Sequence, residues 1–249
     1  MSGTIQPVSE TARDRDLRTA GHLQRMLLPP SPLLANGWTA VHHFEPAGAV
    51  SGDYLDLVPI GGRLYFMLGD VSGKGVAASL LMAQLHAMFR TLIPFQMPLA
   101  DLMTRASALL CASSLPAQYA TLVTGYLDAD GEVSIVNAGH PPPLLIASQG
   151  HTEIRATGVP VGLLCESRFS STRLTVDPGD TLFVYTDGLT EARNCSGDEY
   201  GIARVEQSAA RAARRSVADL VSTVAADQAA FRERCPNADD VAVLGIRRM

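Results

Sequence analysis

The stretch Gly69-Asp70-Val71-Ser72-Gly73-Lys74-Gly75 constrains this chain more than any other. It follows Leu64-Tyr65-Phe66-Met67-Leu68, an apolar run that reads as a buried strand. It precedes residues 76–92, an apolar segment that reads as a helix. The chain must therefore pass from strand to helix through a glycine-rich bend, with a carboxylate fixed where the strand ends. Any architecture that hosts this passage needs a sheet with helices packed on it.

The other elements fit that demand. Residues 37–45 and 52–58 read as strands, and Gly61-Gly62 turns the second of them back into 63–68. On 52–58, Leu55 and Leu57 share one face, and Tyr54, Asp56 and Val58 share the other. Helix 75–92 is apolar nearly all round, which predicts burial on more than one side. Leu99, Leu102, Met103, Ala106, Leu109 and Leu110 mark a second helix. Strands are predicted over 119–127, 132–137, 143–146, 173–176, 182–185 and 241–246, and helices over 202–214 and 217–231. Ser216 and Asp219 have capping-box spacing at the start of the last helix. Hairpins interspersed with helix pairs, with no repeat and no long linker, predict one α+β domain whose sheet is mostly antiparallel.

Near the N-terminus, residues 1–16 are polar and read as frayed. Residues 17–28 read as an amphipathic helix stopped by Pro29-Pro30. That helix either packs on its own domain or serves as a linker that carries a signal.

The 249 residues can bury a substantial core, and 47% hydrophobic with 18% charged residues describes a globular chain. A net charge of −5 disfavours nucleic acid, whose phosphates need a basic face. No secretory h-region is evident, and the apolar run 76–89 is too short to span a bilayer. The expected location is the cytoplasm, with no membrane partner. Cys111, Cys165, Cys195 and Cys235 are scattered without a CxxC spacing, so they read as ordinary thiols, neither bridged nor zinc-bound.

Four acidic positions stand against the ends of apolar strands: Asp53, Asp70, Asp187 and the pair Asp239-Asp240. Each alone is more simply a turn or a cap. In an antiparallel sheet, however, the end of one strand lies beside the start of its neighbour, so such acids can share a rim. Carboxylates gathered in this way suit hard divalent cations. Asp56, Asp128, Asp130, Asp177 and Asp180 read as turn or surface acids. The run Gly69 to Lys74 is not a phosphate-binding P-loop, because the spacing is short, Gly75 stands where serine or threonine belongs, and Asp70 would face the phosphates. His140 reads as a loop-bracing residue, and Ser72 has no histidine at triad spacing.

Five ordered blocks carry a family resemblance. They are the run from Glu45-Pro46-Ala47 through Val50-Ser51-Gly52-Asp53-Tyr54-Leu55-Asp56, then Gly69 to Ala78, Asn137-Ala138-Gly139-His140-Pro141-Pro142, Tyr185 to Ala192, and Asp239-Asp240-Val241-Ala242. Together they resemble the SpoIIE/RsbU branch of the metal-dependent protein phosphatases, the PPM class, over residues 20–247. The resemblance implies an α-β-β-α sandwich of two mostly antiparallel sheets flanked by helices. It divides the chain into a tail and regulatory or linker helix, 1–30, and a phosphatase domain, 31–249. It implies hydrolysis of phosphoserine or phosphothreonine on a protein by a water activated by two Mn²⁺ or Mg²⁺ ions.

Asp53, Asp70 and Asp187 match the family's metal-binding acids, and the Val71 carbonyl matches a backbone contact. Either Asp239 or Asp240 supplies the last ligand, with Asp239 the first choice. The implied substrate is a phosphorylated STAS-domain antagonist of an anti-sigma factor. A catalytically weak module that sequesters such a partner is the alternative. Gln24, Leu27 and Leu28 match the family's regulatory segment, which implies a separate sensor or activator protein and leaves open a homodimer through 17–28. Lys74, Ser51 and Ala242 depart from the family's usual histidine, glycine and threonine or serine.

Overall fold

The computed structural model describes residues 11–113, 115 and 117–249. Among these, two antiparallel sheets pack face to face. One has β3 (Asp53–Ile60), β4 (Arg63–Val71), β5 (Ala120–Leu127), β6 (Glu132–Ala138) and β9 (Thr172–Thr175), in that order. The other has β1 (Leu33–Ala35), β2 (Trp38–Glu45), β11 (Val241–Arg248), β10 (Thr181–Tyr185), β7 (Leu144–Ala147) and β8 (Gly150–Glu153). Helices α2 (Gly75–Leu92) and α3 (Leu99–Ser113) cover the first sheet, and α5 (Gly201–Ala212) and α6 (Val217–Arg232) cover the second. The expected α+β sandwich is the observed fold.

Strand alternation builds the layers. Leu55 and Leu57 of β3 and Leu64, Phe66 and Leu68 of β4 enter the core between the sheets, where they meet Leu182, Val184, Ala242, Leu244 and Ile246. The intervening Tyr54, Val58, Tyr65 and Met67 face α2 and α3. A period of two thus gives each sheet two apolar faces, which is why its strands read as nearly continuous apolar runs.

Several expectations need correction. The first helix, α1, spans Ala12–Arg25, not 17–28. A capping box between Thr11 and Asp14 starts it inside the stretch read as frayed, and Leu27 and Leu28 lie beyond its end. The rest of that polar tail, 1–10, lies outside the described residues. Helix α2 is buried along one stripe only, with Ala78, Leu81, Met82, Leu85, Phe89 and Leu92 inward and Val76 and Leu80 exposed. The stretch Gly75–Phe95, at 21 residues, is also long and apolar enough by composition to cross a membrane; here its inward stripe is a core face. The strands β1, three residues long, and β8, exposed throughout, carry no readable alternation.

The cysteines are paired, Cys111 with Cys165 and Cys195 with Cys235, at Cα separations of 5.5 and 5.7 Å. Their separations of 54 and 40 residues hide these pairs from the sequence.

Asp56, read as a surface or turn acid, is fully buried beneath α2. Arg90 holds it with two hydrogen bonds of 2.7 and 2.6 Å, and the Leu57 amide donates to it at 2.8 Å.

Candidate active site

The acids converge because two hairpin-like pairings end at the same mouth. Asp53 and Asp70 are direct cross-strand partners on β3 and β4. Asp53 continues the inward phase of Leu55 and Leu57, and Asp70 continues that of Leu64, Phe66 and Leu68. Both carboxylates therefore lie where the layer between the sheets opens. From the other sheet, β10 pairs with β11, and the Thr186 amide donates to the Ala242 carbonyl at 3.0 Å. This places Asp187, first residue of the short helix α4 (Asp187–Thr190), beside Asp239-Asp240 at the start of β11.

Thr186 joins the two halves. It continues the inward phase of Leu182 and Val184, and its hydroxyl donates to Asp53 Oδ2 at 2.9 Å. The same hydroxyl accepts from the Ala242 amide at 2.9 Å. Sequence reasoning missed Thr186. The available signal was a polar side chain in the inward phase of a buried strand, one residue before Asp187.

The adjacent aspartates of 239–240 have different partners. Asp240 accepts from the amides of Ala47 at 2.7 Å and Gly52 at 2.8 Å, so both its oxygens are engaged by the β2–β3 connection. Asp239 projects outward and accepts from Lys74 Nζ at 2.8 Å. Asp239 is half exposed, and its other oxygen accepts from the Asp240 amide at 3.0 Å, whereas Asp240 ties β11 to the loop before Asp53.

Two glycines make this approach feasible. A Cβ at Gly188 would lie 1.9 Å from the Asp240 carbonyl oxygen, so this glycine lets α4 sit on the β11 start. That is a packing role. A Cβ at Gly52 would sit 3.2 Å from the Val71 carbonyl and 3.4 Å from Asp70 Oδ1, in the cradle where an ion would take those oxygens.

The electrostatics match a site built for cations. Burial, then Asp70, pushes the Asp53 carboxyl well above its ordinary range, against the hydrogen bond from Thr186. Burial, then Asp187, Asp239 and Asp240, pushes Asp70 up to about 7. Burial and Asp239 also raise Asp187. Among the described residues, no three such side chains already stand in coordinating array. The donors are all hard oxygens, which fits Mg²⁺ or Mn²⁺.

A pH dependence follows. Asp70 in the folded, metal-free chain keeps a proton that the unfolded chain releases near 3.8. Between that value and about 7 the native state binds more protons, so its stability falls as pH rises through this window. The chelator-treated protein is expected to melt at a higher temperature at pH 5 than at pH 8. An equal or higher melting temperature at pH 8 would contradict the assignment.

Of the three N-terminal residues singled out, Gln24 is buried and grips the strand entry. Its side-chain nitrogen donates to the Ser51 carbonyl at 2.7 Å, and the Ser51 amide donates to its Oε1 at 2.8 Å. Leu27 packs against the α2–α3 layer and Leu28 against the core between the sheets. His140 braces its loop, as expected. It is buried, its amide donates to Asn137 Oδ1 at 2.8 Å, and burial lowers its pKa to about 3.

A family profile described as Stage II sporulation protein E (SpoIIE) matches residues 60–249. The chain belongs to the SpoIIE family. Among its relatives, Protein IcfG of Synechocystis is 30% identical over 87% of this chain and 39% of its own length. Phosphoserine phosphatase RsbP of Bacillus subtilis is 26% identical over 71% of this chain and 45% of its own length. The SpoIIE-family chain described here therefore spans about two fifths to just under half of these curated relatives. The SiaA-PP2C domain of Pseudomonas aeruginosa superposes with a TM-score of 0.82 at 20% identity, covering 94% of this chain and 96% of that one. The RsbU and RsbW domains of a Mycobacterium tuberculosis protein give 0.74 at 26% identity over 89% of this chain and 61% of that one. The sandwich is thus the PP2C fold.

Proposed function

We propose that this chain is a protein serine/threonine phosphatase that works with two Mn²⁺ or Mg²⁺ ions. The observation that carries the reading is the meeting of acids from both sheets at one mouth, where burial and then neighbouring carboxylates raise the pKa values of Asp53 and Asp70. The similarity to RsbP and RsbU, both named phosphoserine phosphatases, supports it. Asp53, Asp70, Asp187, Asp239 and the Val71 carbonyl would hold the ions. Asp240 would act as a positioning residue through the amides it accepts, and Thr186 would orient Asp53. Bound ions supply Lewis acidity to water and to phosphoryl oxygens. The chain's own contribution is to fix these oxygens and to keep Asp53 largely out of water.

The substrate in this reading is a phosphorylated protein, of the STAS-domain class that opposes anti-sigma factors, and the setting is partner switching in the cytoplasm. The test is hydrolysis of p-nitrophenyl phosphate and of a phosphorylated STAS protein with Mn²⁺, and its loss with EDTA. Folded protein that binds Mn²⁺ yet hydrolyses neither would favour a sequestering module.

The regulatory role belongs to α1. Gln24 holds the connection whose amides at Ala47 and Gly52 anchor Asp240, so a displacement of α1 would reach the mouth within one loop. Leu23 on this helix and Met26 at its C-cap are exposed and give a separate activator or a second copy an apolar face. Gln24→Ala leaves the Ser51 amide and carbonyl unpaired in a buried place and is expected to cost about 2 kcal/mol. It should also raise the Mn²⁺ concentration needed for half-maximal activity. Urea unfolding and a Mn²⁺ titration check both, and no change in either would remove α1 from the regulatory reading.

A further inference from the structure

We propose that Lys74 is a resident counter-cation on Asp239, displaced when a divalent ion binds, and that it sets how tightly the site takes metal. This inference rests on the metal-site reading above.

Three observations carry it. First, Lys74 Nζ reaches across the mouth and donates to Asp239 Oδ2 at 2.8 Å and to the Ala238 carbonyl at 3.0 Å. Its carboxylate partner is the one of the two adjacent aspartates that is not tied to the β2–β3 connection; Asp239 Oδ1 accepts only from the neighbouring Asp240 amide, at 3.0 Å. Second, Lys74 lies between two grooves, of about 440 and about 210 Å³, and Asp239 lines both, so the pair is accessible from either side. Third, Lys74 is carried on an arm flanked by Gly73 and Gly75. Both have positive φ, 98° and 69°, and a Cβ on either would meet nothing within 4 Å. The Lys74 side chain is itself 69% exposed, so its ammonium can leave Asp239 without disturbing packed neighbours.

The ammonium also eases the crowd of negative charge, since it acts on Asp70 and Asp187 as well as on its own partner. An incoming ion must break the Lys74–Asp239 pair and tolerate a nearby like charge. The pair is half exposed, with side-chain exposures of 69% and 48%, so it is readily exchanged and its worth is that of a surface pair. Lysine here therefore lowers metal affinity by a modest factor and protects the metal-free fold.

The test is calorimetric titration of the folded chain with Mn²⁺. Lys74→Gln is expected to tighten binding by about two- to fivefold, the range an exposed ion pair spans. Lys74→Arg keeps the charge and should stay near the parent value. Arg13→Gln, which removes a charge from the larger groove without touching Asp239, should leave the affinity unchanged. Unchanged or weaker binding in Lys74→Gln overturns the inference. So does equal tightening in Lys74→Arg or Arg13→Gln, because the contact would then not be the cause. Absence of Mn²⁺ binding in the parent chain would instead overturn the metal-site reading, and this inference with it.

Discussion

Asp70→Ala is expected to lower metal-dependent hydrolysis of p-nitrophenyl phosphate by about 10³-fold, and at the same time to make the metal-free protein more stable at pH 8. The two signs come from one cause. Asp70 sits at the mouth, where burial first, and then the charges of Asp187, Asp239 and Asp240, push its pKa up to about 7. Removing its carboxylate relieves that strain when no ion is present, and deletes an ion ligand when one is. Paired assays with Mn²⁺ and melting curves with EDTA read both effects. Retained hydrolysis would remove Asp70 from the machinery. Lost hydrolysis together with lost stability would point to a structural role instead.

Arg90→Ala should have the largest effect on stability, about 3 kcal/mol, equivalent to about 6–12 °C in melting temperature for a chain of this size. Asp56 is wholly buried between β3 and α2, and the Arg90 guanidinium meets both of its oxygens. His86 Nδ1 lies 3.5 Å from Asp56, and burial lowers its pKa. Because Arg90 is itself 43% exposed, water can reach part of the gap, which places the estimate at the low end for a broken buried pair. Replacing both partners, Asp56→Leu with Arg90→Leu, should recover much of the loss. Urea unfolding of the single and double variants decides the matter. A single variant as stable as the parent would show that Asp56 finds another partner or takes up a proton.

The sheet layers and the clustering of acids were legible because both depend on alternation and on strand ends. Asp53 and Asp70 carry the phase of their apolar neighbours, and a sequence reader can follow that phase to the rim. The choice between Asp239 and Asp240 was not legible, since it depends on which of them meets the amides of Ala47 and Gly52, far away in sequence. Asp56 was misread for a related reason. An acid in an apolar strand looks like a surface residue until its partner, Arg90 on α2, is known. The cysteine pairs likewise depend on which loops meet. The early start of α1 was recoverable, since Thr11 and Asp14 have capping-box spacing. The low apolar content of the first turns concealed it.

The division of the acids between the sheets has a mechanical meaning. Asp53 and Asp70 ride on one leaf of the sandwich, and Asp187, Asp239 and Asp240 on the other, with Thr186 stitched between them. Ions held by both sets would act as a rivet through the mouth. Thermodynamic linkage then runs in both directions: tight binding clamps the leaves, and anything that shears them is felt as weaker binding. A conservative change deep in the layer between the sheets, such as Val184→Ala, could thus be detected by weighing metal at the rim. The site would serve as a strain gauge for the whole sandwich.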